Sequence, residues 1–251
     1  MKNNRFNYLV VVSLAILLVS CVSKQKMVYF QTIEGQELQE SIVNYEPKFQ
    51  IGDLLTINVS AIDAEAVIPF NLFESTSVGT PKPIAYLVDA DGDINFPVIG
   101  KIKIEGLTSK ELTKKLSTLI AVYVKQPIIN SRLINFKVTV LGEVKVPGSY
   151  AVPNERISII EAIGLAGDLT IQGERSTVLL VREQEGKRTF IDLDLTNKKL
   201  FNSPYFYLAQ NDVIYIAPNK TKINSSGVGT NTSILISSIS ALISLIAILT
   251  R

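Results

Sequence analysis

The chain has 251 residues, room for one large domain or two smaller ones, with 47% hydrophobic and 19% charged residues and a formal net charge of +2. Lys2 and Arg5 carry that excess, since without residues 1–20 the 25 basic residues fall to 23 against 23 acidic, and a neutral body gives no electrostatic reason to expect nucleic acid as partner. With no histidine and one cysteine, Ser-His-Asp and Cys-His catalysis, histidine or Cys-rich metal sites and an intrachain disulfide are all excluded.

Residues 1–20 have the parts of a secretion signal: Lys2 and Arg5 at the start, then an apolar run from Leu9 to Val19 broken only by Ser13. About 11 residues is too short to span a ~30 Å hydrocarbon layer as a helix. Leu18-Val19-Ser20-Cys21 resembles the lipobox of bacterial lipoproteins, in which cleavage precedes the cysteine and the thiol is acylated. Cys21 is therefore the expected lipid anchor, with several acyl chains giving stable attachment. Val22, where an aspartate would signal inner-membrane retention, favours the outer membrane. The plainer reading is an ordinary signal or anchor helix with an incidental cysteine.

Residues 21–44 form an extended lipidated lead-in with little pattern. From Tyr45 the chain becomes strand-rich. Leu55 to Val59 alternates as a half-buried strand, and Ile84 to Val88 is another. Asp89-Ala90-Asp91-Gly92-Asp93 followed by Ile94-Asn95-Phe96 is a hairpin signal. It is not an EF-hand loop, because its glycine is fourth rather than sixth and its twelfth position is Gly100. Ile102 and Ile104 continue a strand. Thr108 with Glu111 forms a capping box for a helix whose buried stripe is Leu112, Leu116, Leu119 and Ile120, ending before Pro127.

A second unit begins near Asn135. Phe136, Val138 and Val140 alternate, and a turn-rich link from Gly142 to Gly148 leads to Tyr150-Ala151-Val152. Ser158 to Ala166 is helical, with Ile159, Ile160, Ile163 and Ala166 inward and Gly167 as its stop. Val178–Arg182 and Thr189–Leu193 bracket Glu185-Gly186-Lys187 as a hairpin, and Val213–Ala217 is the last strand. This order of strands around one helix suits a β-grasp module. Residues 220–232 read as a flexible linker. Residues 233–250 read as a transmembrane helix, since the 17 uncharged residues Ser233–Leu249 reach roughly 26 Å. Within that helix Ser233, Ser237, Ser240 and Ser244 share one face, as packing against other helices or lining a pore would require. Back-bonding of each serine to its own helix is the simpler alternative.

Together these segments resemble the polysaccharide-export family. Phe49-Gln50-Ile51-Gly52-Asp53-Leu54-Leu55-Thr56-Ile57 looks like the opening of its export domain, and Asp91 to Gly100 with Gly106-Leu107-Thr108 looks like that domain's second hallmark. Val140-Leu141-Gly142-Glu143-Val144 through Tyr150, Glu161-Ala162-Ile163, Ala166 to Thr170, and Asn211-Asp212-Val213-Ile214-Tyr215 resemble a soluble-ligand-binding β-grasp repeat. The resemblance implies an α+β chain: an export domain over 45–130, one β-grasp-like domain over 135–219 and a C-terminal transmembrane helix.

It further implies a homo-oligomeric ring at the outer membrane, anchored in its lipid, with the body in the periplasm. Such a ring conducts capsular or extracellular polysaccharide, passed on by an inner-membrane polysaccharide co-polymerase or export complex. The expected mechanism is passive, with no covalent chemistry, cofactor or metal. Glu105, Asp168 and Asp212 could touch sugar, but solvated turn positions are the favoured reading for all three. The rival reading is a lipid-anchored periplasmic binding module for a small ligand or cell-wall glycan. A glycan hydrolase is a more distant rival, since no acid pair stands out.

Overall fold

A computed structural model describes residues 27–31, 45–74, 81–184, 186–227 and 230–249. The signal segment, Cys21 and most of the lead-in lie outside those residues. The described chain builds two hydrophobic cores, one on either side of residue 135.

In the first unit, β1 (Leu54–Ser60) lies between β4 (Ala85–Leu87) and β7 (Ile128–Leu133), antiparallel to both. β2 (Phe73–Glu74) and β3 (Lys82–Pro83) form a small separate ribbon. The period-2 rule puts Leu55, Ile57 and Val59 inward. Helix α1 (Ser109–Ile120) brings Leu112, Leu116 and Ile120 onto them, while Leu119 is only half buried. Its start is locally determined. Thr108 Oγ1 accepts from Glu111 N–H at 3.2 Å, and the Glu111 carboxylate accepts from Thr108 N–H at 2.8 Å.

The Asp-Gly segment does turn the chain, but the strands on either side of it do not pair with each other. β4 joins β1, whereas β5 (Asp93–Phe96) pairs with β6 (Gly100–Lys103). The reason is hydrophobic: Ile94, Phe96, Ile102 and Ile104 fill the first core only when that hairpin folds over it. The Asp89 carboxylate accepts from the N–H groups of Asp91 and Asp93 at 3.0 and 2.9 Å, which is turn chemistry.

The second unit is a five-stranded sheet in the order β11-β10-β12-β8-β9. Its strands are β8 (Lys137–Gly142), β9 (Gly148–Ala151), β10 (Gly173–Gln184), β11 (Lys187–Leu193) and β12 (Val213–Pro218). β12 runs parallel to β8 and every other pairing is antiparallel. Helix α2 (Ile159–Leu165) starts from a second capping box, Ser158 with Glu161, and buries Ile159, Ala162 and Ile163 against the sheet. Gly167, at φ +77°, closes it as expected.

Two expectations about the C-terminal region need correction. Residues 220–227, expected as part of a flexible linker, form helix α3 (Lys220–Gly227). Asn219 Oδ1 accepts from Lys222 N–H at 3.0 Å, and Lys222 forms an ion pair with Glu143 that ties the helix to the second unit. The transmembrane helix expected over 233–250 is overturned: among the described residues no helix is long and apolar enough to cross a membrane. Helix α4 (Thr230–Leu249) opens with Thr230-Asn231-Thr232-Ser233, which leaves a run of only about 24 Å from Ile234, and four serines interrupt that run.

Gly142 has φ +90°, and a Cβ there would lie 2.0 Å from the Ile216 carbonyl oxygen; Gly100 has φ +86° with open space around it. Gly142→Ala is expected to cost about 3–5 kcal/mol, combining backbone strain with overlap, and Gly100→Ala only the strain of about 1–2 kcal/mol. Urea unfolding of both variants checks the contrast.

Candidate functional site

The seam between the two units is where polar side chains from distant parts of the chain converge. Asn135 is its fastener. Its Oδ1 accepts from Leu54 N–H at 2.9 Å, and its Nδ2 donates to the Gly52 carbonyl at 3.0 Å, both in the first unit. Its own carbonyl accepts from Gln210 Nε2 at 2.8 Å, and Gln210 Oε1 accepts from Lys137 N–H at 2.8 Å, both in the second. Leu133 packs against both cores.

Beside that fastener lies a buried ion pair. Arg182 follows Val178 and Leu180 on the inward face of β10, so its guanidinium enters the core and requires an anion. Asp212, fully buried at the head of β12, supplies it: Nη2 to Oδ2 is 2.7 Å, Nε to Oδ1 is 3.1 Å, and Ala209 N–H adds a third donor at 2.8 Å. Burial pushes the Asp212 carboxyl above its usual range, against the downward pull of Arg182. Burial acts to lower the Arg182 pKa, but the hydrogen bond and charge of Asp212 outweigh it and the net direction is up. Arg182 Nη2 also donates to the Tyr207 carbonyl at 3.0 Å, and its guanidinium lies over the Tyr205 ring. The pair thus positions the loop carrying Tyr207, on whose ring Tyr45 stacks at 5.6 Å across the seam.

The other carboxylates considered for sugar contact are placed differently. Asp212 is neither solvated nor free to meet a ligand, because its role is to neutralise Arg182. Glu105 is paired with Lys103 at 2.9 Å. Asp168 sits at φ +74° and accepts from the Tyr29 hydroxyl at 2.5 Å, an arrangement that with burial pushes the Tyr29 phenol up. Ser237, Ser240 and Ser244 are brought to one helix, and Ser240 and Ser244 donate to the Ile236 and Ser240 carbonyls at 2.9 Å. The side chain of Ser233 and all of Cys21 lie outside the described residues.

Two open grooves flank the Tyr45–Ile51 segment. One, of about 810 Å³, runs between the start of α1 and the loop before α2; the other, of about 820 Å³, faces the β10–β11 hairpin. Sequence reasoning identified neither the grooves nor the Asn135 and Arg182–Asp212 contacts. An arginine at an inward period-2 position of β10 was the one signal that pointed to a buried partner. The outer face of the second sheet is also distinctive. Register aligns Phe190, Val181 and Val213 in one row and Leu179, Tyr215 and Leu141 in the next. Phe190, Tyr215 and Leu141 are each more than two-fifths exposed.

Residues 41–133 match the family described as polysaccharide biosynthesis/export protein, and residues 136–216 match the SLBB domain. Two relatives are each described as EPS I polysaccharide export outer membrane protein EpsA. The Ralstonia solanacearum protein is 28% identical over 180 residues, covering 67% of this chain and 47% of the relative. The Ralstonia nicotianae protein is 34% identical over 142 residues, covering 52% and 37% respectively. The chain thus spans less than half the length of either curated relative.

Two outcomes test the seam. Asp212→Ala leaves Arg182 buried without its anion and is expected to cost about 3–5 kcal/mol, much of which Arg182→Met with Asp212→Leu restores, as read by urea unfolding. Asp53, 1% exposed, has one oxygen bonded to Gln50 N–H and the other without a partner among the described residues. Burial raises its pKa to about 6, so the folded state holds the proton more tightly than the unfolded chain, and stability falls as pH rises from about 4 to 6. Asp53→Asn should therefore be more stable than wild type by about 1–3 kcal/mol at pH 7.5, with the advantage shrinking towards pH 4.

Proposed function

The chain belongs to the polysaccharide export family, and from that premise we propose that it is a subunit of an oligomeric assembly at the outer membrane that passes capsular or extracellular polysaccharide out of the periplasm. The observation that carries this reading is the coincidence of two independent divisions. The export and SLBB matches meet at residues 133–136, where the two hydrophobic cores also part.

Copies of the chain meet, in this reading, through the outer face of the second sheet. Exposed Phe190, Tyr215 and Leu141 in two adjacent rows of a folded sheet are costly in water and mark a contact surface. Helix α4 adds a second uncovered apolar surface at Ile234, Ile236, Ile243, Leu245 and Ile248. In this reading the serines at 233, 237, 240 and 244, spaced to share one helical face, mark where copies of that helix approach closely, and the back-bonds of Ser240 and Ser244 leave that approach possible. Cys21 is the lipid anchor. The assembly acts as a passive conduit without covalent chemistry, driven by an inner-membrane polysaccharide co-polymerase or export complex.

Three measurements test this. Deleting the gene should abolish surface polysaccharide while the sugar accumulates inside the envelope; a deletion strain with normal surface polysaccharide would remove the export reading. Phe190→Glu with Tyr215→Glu, at exposed positions, should convert a large species in mild detergent into smaller ones and reduce export, and an unchanged particle mass would show that copies meet elsewhere. Cys21→Ser should release the protein from the membrane fraction.

A further inference from the structure

The groove between α1 and the loop before α2 differs from its neighbour in how its charges are matched. Lys48, Lys110, Arg132 and Arg156 line it, against Glu46 and Glu155. Among the described residues, no carboxylate lies within ion-pair distance of any of these four cations. In the groove on the other side of the segment, Arg188 is paired with Glu183 and Glu105 with Lys103, which leaves Lys187 and the shared Lys48 as its cations without an ion pair among the described residues. Among the described residues, the lining of the first groove thus carries four cations against two carboxylates, with the Glu111 carboxylate also within electrostatic reach of Lys48.

Two further features make that cleft suited to a sugar polymer. The hydroxyls of Ser109 and Thr113 line it and form a hydrogen-bonded cluster with Ser131, at 3.0 Å for Ser109. Arg156 is held over the Tyr207 ring at 5.0 Å, which keeps its guanidinium near the cleft instead of free in solvent. The volume is in the range of about 300–1,000 Å³ seen for ligand sites, yet the cleft is open at the sides, as a polymer passing through requires. Exposed charge pairs are individually weak, so several cations along an open wall attract a polyanion without trapping it.

We infer that this cleft is a binding site for a segment of acidic polysaccharide, with Lys48, Lys110, Arg132 and Arg156 taking its carboxylate or other anionic substituents. The inference rests on the export reading and specifies the chemistry of the glycan that the family assignment leaves open.

The test uses the full chain in mild detergent with an oligogalacturonate and, as neutral comparison, a malto-oligosaccharide of equal length. Calorimetry should show saturable, salt-weakened binding of the acidic chain and none of the neutral one. Lys110→Gln with Arg132→Gln should weaken binding about tenfold, while Lys187→Gln with Arg188→Gln in the other groove should leave it unchanged. Both pairs are on the surface, and an unchanged melting temperature shows that each variant folds. Equal affinity in wild type and the Lys110/Arg132 variant, equal affinity for the neutral chain, or no binding would each overturn the inference. The export reading fails separately, through normal surface polysaccharide in a deletion strain, whatever the cleft binds.

Discussion

Asn135 is hydrogen-bonded into both units at once, and the arrangement of the whole seam follows from it. Its side chain satisfies a donor and an acceptor at the turn before β1, and its carbonyl is taken by Gln210 next to β12. The matched domains are separated by only two residues, so few backbone dihedrals are available to let one unit swing on the other. Leu133 adds an apolar contact shared by both cores. The connection is short and its polar groups are paired on both sides, next to the grooves beside Tyr45–Ile51.

The buried Arg182–Asp212 pair contributes more to placement than to stability. Removing two charges from water is expensive, and a well-packed apolar pair of similar volume would do as well or better energetically. What an apolar pair could not do is hold the Tyr207 carbonyl and the Ala209 N–H in register with the head of β12. Through them the loop bearing Tyr207 is set against Tyr45 and beneath Arg156. A contact deep in the second unit thereby shapes the wall of a cleft shared with the first.

The surfaces left uncovered follow the same division of labour. Each unit spends its alternating apolar residues on its own core, and the second sheet still carries a further apolar row on its outer face. The cleft carries more cations than carboxylates and is open, whereas that face exposes Phe190, Tyr215 and Leu141.

Local elements were legible in the sequence because their signals span only a few residues. The capping box at Thr108–Glu111, the alternation of Leu55, Ile57 and Val59, and the stop at Gly167 all depend on neighbours within one or two turns. Strand pairing was less legible. The Asp-Gly turn was recognisable, but whether its flanking strands paired was decided by which apolar residues could reach the first core. For the last helix, composition suggested a span, yet the polar residues that give it a serine face also shorten its apolar run.

By itself the sequence determined two α+β units in their order along the chain, the absence of histidine- and disulfide-based chemistry, and the family resemblance. Only the tertiary structure decided that Asp212 neutralises Arg182 instead of meeting sugar, that Asn135 fastens the units, and that Lys48, Lys110, Arg132 and Arg156 line one cleft. The physical reason is range. Periodicity and capping are set by bonds between near neighbours, whereas a charge distribution depends on which distant segments the cores bring together.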